Sequence, residues 1–175
     1  MSKEKSMVLI GFMGVGKSTI GKELAIRFKR DFVDIDMEIE KLFGMETTEV
    51  FKTHGEKAFR EKEKELSIYY AKQPGYIVSF GGGAFIDEDI RSICLTHSLI
   101  IYLDLNWEYW KDRISILMDS RPMLQKKNME EIKALFYTRK KLYHYHHIKI
   151  NMDNLNIEDT VNRVMSALER FYAKK

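Results

Sequence analysis

Gly11, four residues, and then Gly16, Lys17 and Ser18 form the spacing with which a chain cradles a phosphate. An apolar run, Met7 to Ile10, precedes them, and Ile20, Leu24, Ala25 and Phe28 follow at helical spacing. The chemistry needs this order. A buried strand fixes the entry of the loop, and the glycines let backbone N–H groups converge on an anion with no Cβ in the way. The helix that starts near Lys17 points its free N–H groups and positive dipole end at the same place. Lys17 brings a mobile charge for the β- and γ-phosphates, and the Ser18 hydroxyl is placed for Mg²⁺. A tight turn with no ligand would need neither side chain.

Other residues along the chain could act with this loop. Asp34-Ile35-Asp36 sets two carboxylates about one apolar residue, so on an extended chain they point the same way. One could hold Mg²⁺ through water while the other binds a hydroxyl or takes its proton. Equally, Asp36 could cap a helix from Met37 to Phe43. Gly81-Gly82-Gly83 follows the apolar run Tyr76 to Phe80 and implies a close approach to the backbone, by another segment or by a ligand. At the end of a strand a ligand is the expected neighbour. Arg60 lies in a highly charged helix, where charge pattern alone favours a solvated side chain. Arg139 and Tyr143, four apart, share a helix face. Trp107 and Trp110 read as packing anchors, with Arg113 one turn on. His144, His146 and His147 read as a polar helix terminus and not a zinc site, because no cysteine or suitably spaced carboxylate is near.

The elements that must position these residues alternate. Met7–Gly11, Phe32–Ile35, Ile77–Phe80, Leu99–Leu103 and His147–Ile150 are short and apolar or β-branched, and stretches of helical period separate them. That alternation predicts an α/β fold with a parallel sheet covered by helices on both faces. Ligands then bind beyond the carboxyl ends of the strands, where Gly11, Asp34 and Gly81 fall. Thr47 or Thr48 is expected to cap a short helix that Gly55 ends, with a longer helix from about Glu56 to Ala71 carrying Phe59, Glu63, Leu66 and Tyr70 on one face. Asp87–Thr96, Met129 to about Tyr145 behind an Asn128 cap, and about Asn156 to Phe171 read as further helices. Met118 to Asn128, broken by Pro122, is the longest candidate lid.

The 175 residues suit one domain with a real core. A formal charge of +3 is small for this length and argues against a dedicated nucleic-acid surface while admitting an anionic substrate. No apolar run approaches a membrane span, and the first five residues are charged and short, unlike a signal peptide. The one cysteine, Cys94, reads as a small buried core residue in a reducing, cytoplasmic setting.

Taken together, the motifs resemble the shikimate kinase family, small kinases built on a phosphate loop and related in fold to nucleoside monophosphate kinases. The resemblance rests on Gly11–Thr19, Asp34-Ile35-Asp36, the frame Phe51, Gly55-Glu56, Phe59-Arg60 and Glu63, Gly81–Gly83, Arg121-Pro122-Met123-Leu124, and Arg139 with Tyr143, in that order. It implies a three-layer α/β/α fold with a five-stranded parallel sheet. It implies one kinase domain over 1–175, with a core of about 1–35, 76–118 and 146–175, a substrate-binding region of about 36–75 and a lid of about 119–128. The implied reaction phosphorylates the 3-hydroxyl of shikimate with ATP and one Mg²⁺ ion. Gly14, Val15, Gly16, Lys17, Ser18 and Thr19, with Arg113 and Arg121, would contact ATP, and Ser18 and Asp34 would hold the metal. Asp36, Arg60, Gly81, Gly82, Gly83 and Arg139 would bind shikimate, with Lys17, Asp36 and Arg121 as the catalytic groups. The partners implied are shikimate and ATP, with no nucleic acid or membrane, and the protein is expected to be a monomer. The chain departs from the family pattern at Met123, where leucine is commoner, and at Asn151–Leu155 near the expected adenine site. A sibling kinase of gluconate or a nucleotide, or an ATP-sensing switch acting on a protein partner, are the competing readings.

Overall fold

The protein is described from a computed structural model over residues 5–117, 124 and 127–174. Five strands run in the order β2-β3-β1-β4-β5, all parallel: β1 Met7–Ile10, β2 Asp31–Asp34, β3 Tyr76–Ser79, β4 Leu99–Asp104 and β5 Ile148–Asn151. The helices are α1 Lys17–Phe28, α2 Ile35–Phe43, α3 Thr47–Thr53, α4 Gly55–Lys72, α5 Glu88–His97, α6 Trp107–Lys111, α7 Ile114–Leu117, α8 Met129–Leu142 and α9 Ile157–Ala173. Every residue of β1 and β4 is buried, as continuous apolar runs in a sheet covered on both faces require. The edge strand β5 alternates instead, with Ile148 and Ile150 inside and Lys149 and Asn151 outside.

The bounds of several elements differ from the sequence expectation for local reasons. β2 ends at Asp34, not Ile35, because the Asp34 carboxylate accepts the Met37 N–H at 3.3 Å and caps α2. Asp34 is therefore the cap, and Asp36 lies in the first turn; the two carboxylates do not share an extended strand. β5 begins at Ile148 because His147 uses both its amide and its ring on β4. Its N–H donates to Ile100 O, and its Nδ1 accepts the Ile100 N–H, each at 3.0 Å. Near α3 the cap is Glu46, while the Thr47 amide and hydroxyl bond Glu40 Oε1. Gly55, at φ +82°, turns the chain and opens α4. Asn128 caps α8 with a full capping box to Glu131, and α8 ends at Leu142.

Beneath the phosphate loop lies an aromatic cluster. Phe12, Trp107, Trp110 and Phe136 meet with ring centroids 4.9 to 5.7 Å apart, so the tryptophans are packing anchors. Cys94 is free and buried, and burial pushes its thiol up to about 12. His144 sets Nδ1 against Lys141 O in the last turn of α8 and His146 sets Nδ1 against Tyr143 O just beyond it, and no metal-sized group of His, Cys, Asp or Glu occurs among the described residues. None of the described helices is long and apolar enough to cross a membrane. Phe136 is 2% exposed at the centre of the cluster, so Phe136→Ala should cost about 3–5 kcal/mol of unfolding free energy, measured by urea denaturation.

Candidate active site

Between β1 and α1 the phosphate loop leaves its strand with Gly11, Gly14 and Gly16 at positive φ, 148°, 74° and 103°. At Gly11 the conformation also meets a close approach, for a Cβ there would sit 2.6 Å from Leu103 O. Four consecutive carbonyls of the loop accept side-chain donors. Lys17 Nζ reaches Gly11 O at 2.9 Å and Phe12 O at 3.0 Å, Trp110 Nε1 reaches Met13 O at 2.7 Å, and Arg113 Nη1 reaches Gly14 O at 3.0 Å. Lys17 is buried, so its ammonium lies inside the loop and not in bulk solvent.

Ser18 Oγ donates to Asp34 Oδ2 and lies 3.4 Å from Ser79 Oγ at the end of β3. These are three hard oxygen groups at the mouth of the loop. Mg²⁺ that rides on substrate phosphates asks a protein for one or two such oxygens, so the donor set fits that ion. Ser79 was not a candidate from sequence; only the sheet order, which sets β3 between β1 and β2, brings it there.

Two clefts open on this side. The first, of about 830 Å³, is lined by Gly14, Gly16, Lys17, Ser18, Thr19, Asp34 and Ser79 together with Met13, Asp36, Gly81 and Gly82. The second, of about 420 Å³, is lined by those last four and by Thr47, Phe51, Phe59, Arg60, Glu63, Gly83 and Arg139. The shared residues make them one continuous depression. A third cleft beside the loop, of about 520 Å³, includes Val15, Thr19 and Arg113 and also Met152 and Leu155, from the stretch that departs from the family pattern.

The second cleft is strongly charged. Arg60 Nη1 donates to Glu63 Oε2 at 2.6 Å, so Arg60 is paired and not the solvated surface residue its charge pattern alone suggests. Burial pushes the Arg60 guanidinium down, but Glu63 and Glu56 outweigh it and hold the group above its ordinary value. Glu63 is 2% exposed. Burial pushes its carboxyl up; Arg60 opposes this, the Asp36 charge adds to it, and the net direction is upward. Its second oxygen, Oε1, has no hydrogen-bond partner among the described residues. Arg139 is 3% exposed and pairs with no carboxylate among the described residues, and burial, with Arg60 nearby, holds its guanidinium below the ordinary value. Its Cζ lies 5.9 Å from the centroid of the Phe12 ring of the phosphate loop. Tyr143, one turn on, donates its hydroxyl to Gly82 O at 2.7 Å.

The triple glycine is explained by the protein's own groups. A Cβ at Gly81 would sit 2.7 Å from both Asp36 Oδ1 and Glu63 Oε1, at Gly82 2.9 Å from Met13 N, and at Gly83 2.8 Å from Arg60 Nη1. Site side chains and loop backbone thus make a close approach to this stretch. Glu63 stood in the sequence motif but was not chosen as a site residue; a glutamate three after an arginine on a helix looks like a surface pair until burial is known. Arg121, Pro122 and Met123 of the candidate lid lie outside the described residues, while Leu124 is buried.

The family model for shikimate kinase matches residues 13–169. A shikimate kinase of Oceanobacillus iheyensis is 50% identical over 167 residues, covering 95% of this chain and 91% of that protein. One from Bacillus licheniformis is 47% identical over 168 residues, with 95% of each chain covered. Among solved structures, the shikimate kinase of Acinetobacter baumannii in complex with shikimate has a TM-score of 0.88 at 27% identity, covering 96% of this chain and 94% of that one. Arg60 and Arg139 share one depression with the phosphate loop, and with the family model matching residues 13–169 and relatives up to 50% identical over 95% of the chain, this protein belongs to the shikimate kinase family.

Proposed function

We propose that the chain transfers the γ-phosphoryl group of ATP to the 3-hydroxyl of shikimate, giving shikimate 3-phosphate and ADP. One observation carries this reading beyond family membership. Arg139 is a buried guanidinium with no carboxylate partner among the described residues, in a cleft continuous with the phosphate loop. Burying a cation without its counter-ion is costly, and an acceptor that brings a carboxylate removes that cost. Arg60, oriented by Glu63, supplies the second fork of the grip, and a guanidinium fork matches a carboxylate bidentately.

In the proposed reaction Asp36 and the Gly81–Gly83 backbone meet the ring hydroxyls of the acceptor. Asp36 orients the 3-hydroxyl and takes its proton as the oxygen bonds to the γ-phosphorus and the bond to ADP breaks. The amides of Gly14 to Thr19 bind the phosphates, and Arg113 borders the nucleoside beside Met152 and Leu155. Lys17 leaves the Gly11 and Phe12 carbonyls and neutralises charge on the moving group, aided by Arg121 from a lid over 119–128. Ser18 and, through water, Asp34 would hold Mg²⁺, which supplies charge neutralisation at the phosphates. Closure over the 36–75 region would exclude water and suppress ATP hydrolysis. The proposed enzyme is a cytoplasmic monomer, its one cysteine free and buried as a reducing compartment allows.

The deciding experiment is a coupled ADP-release assay with Mg-ATP and a panel of shikimate, gluconate and nucleoside monophosphates. Turnover should require shikimate; turnover on another acceptor alone, or acceptor-independent hydrolysis, removes the assignment. Lys17→Ala should lower kcat by about 10²-fold or more with the circular dichroism spectrum unchanged. Arg60→Ala and Arg139→Ala should each raise the shikimate KM by roughly 30-fold or more, since truncating a buried charge partner costs about 2 kcal/mol at least. KM for ATP should hardly move in either. Glu63 gives a pH test. A carboxyl raised in the folded state binds more protons there than when unfolded, so its contribution to stability is fullest below the unfolded pKa and is lost as pH rises through the folded one. Urea midpoints followed from pH 4 to pH 8 should therefore show wild type losing ground to Glu63→Gln as pH climbs above about 4.3, the ordinary glutamate value.

A further inference from the structure

α8 delivers Arg139 to the acceptor cleft, and its fixation is visible on the same face. Phe136, Arg139, Lys140 and Tyr143 recur at i, i+3, i+4 and i+7, one stripe of a helix. Phe136 enters the aromatic cluster at one end of the stripe, and at the other Tyr143 bonds Gly82 O. Between them Lys140 Nζ reaches Asp104 Oδ1 at 2.8 Å. Asp104 is the last residue of β4 and is 3% exposed. It also accepts the Tyr102 hydroxyl at 2.7 Å, and Lys149 Nζ on the edge strand at 2.8 Å. Burial alone pushes this carboxyl up, but bonds from Lys140, Lys149 and Tyr102 outweigh that and hold it below the usual carboxylate value. Asp104 lines neither the phosphate-loop cleft nor the acceptor cleft.

The physical need for such an anchor comes from Arg139. A buried guanidinium without a counter-ion is stabilised by any motion that returns it to water. An α8 free to slide or roll would turn Arg139 outward whenever the acceptor is absent. The next residue along the chain is tied to a buried anion at the end of the central sheet. That tie opposes the motion at the point where the force acts, and it can bear load because the buried Asp104 carboxylate resists losing a cationic partner.

We propose that Asp104, acting through Lys140, is a positioning residue for acceptor recognition: it fixes the register of α8 on the sheet and so keeps Arg139 in the lining of the cleft. The inference rests on the reading of that cleft as the acceptor-carboxylate site, and the test separates the two. Steady-state kinetics are measured on the full chain for wild type, Lys140→Met, Lys140→Arg, Asp104→Asn and Arg139→Ala. Lys140→Met and Asp104→Asn should raise the shikimate KM about fivefold or more, with kcat and the ATP KM within about twofold of wild type. Lys140→Arg keeps a cationic donor for Asp104 and should return the shikimate KM to within about twofold. A bridge that is merely structural would lower the melting temperature and leave the shikimate KM unchanged, or raise both KM values together. Either result overturns the proposal, as does a Lys140→Arg enzyme as impaired as Lys140→Met. Should Asp104→Asn fail to fold, the two variants at the partly exposed Lys140 decide the matter alone. A raised shikimate KM in Arg139→Ala beside a normal one in Lys140→Met sinks this inference only, whereas a normal KM in Arg139→Ala sinks the acceptor site and the inference together.

Discussion

The structure depends on a loop whose carbonyl groups are already bonded. Gly11 O and Phe12 O face the Lys17 ammonium, Met13 O faces the Trp110 indole and Gly14 O faces the Arg113 guanidinium. A peptide unit whose carbonyl is pinned has its N–H direction pinned too, because the two ends share one plane. The loop is thus preorganised for an anion before one arrives. The constraint extends beyond the loop, since two of the donors come from the segment that follows β4. Met13, held in this way, is the wall common to both clefts, and its amide is the reason Gly82 tolerates no side chain.

Charge is concentrated around that wall. In the cleft of the two arginines Asp36 and Glu63 crowd about Gly81, Arg60 bonds Glu63, and Arg139 has no carboxylate partner among the described residues. On the donor side Lys17 rests on backbone carbonyls, weaker partners than a phosphate. The wall itself is held by packing. The Phe12, Trp107, Trp110 and Phe136 rings fill the space under the loop, and Phe12 also presents its face to Arg139. A single aromatic residue between Gly11 and Gly16 therefore lies beside both the ring cluster under the loop and the Arg139 guanidinium.

Much of this was legible before any coordinates. Four positions, Gly11, Gly16, Lys17 and Ser18, announce a phosphate site by spacing alone, because local backbone geometry forces the same solution each time. The alternation of short apolar runs with helical period foretold a parallel sheet clothed on both faces, and β1 and β4 are buried throughout. Asn128 was recognisable as a helix cap since capping is a matter of a few adjacent residues. Asp34 and Asp36 were found as a pair but given the wrong local geometry. An Asp-x-Asp at a strand end serves an extended chain and a helix cap alike, and the Met37 amide decided between them.

What the amino-acid order determined by itself was whatever neighbouring residues settle among themselves: the loop, the caps, the element types, and the family that their sequence of motifs betrays. What the tertiary structure alone decided was the company each charge keeps. Glu63 and Asp104 read as ordinary charged residues in a chain where 31% of residues are charged, yet one lies buried against Arg60 and the other beneath two lysines and a tyrosine. Ser79 reads as the tail of a strand and becomes a neighbour of Ser18 only when β3 is set beside β1. Burial and long-range pairing arise from how distant elements stack, and no periodicity within a single element encodes them.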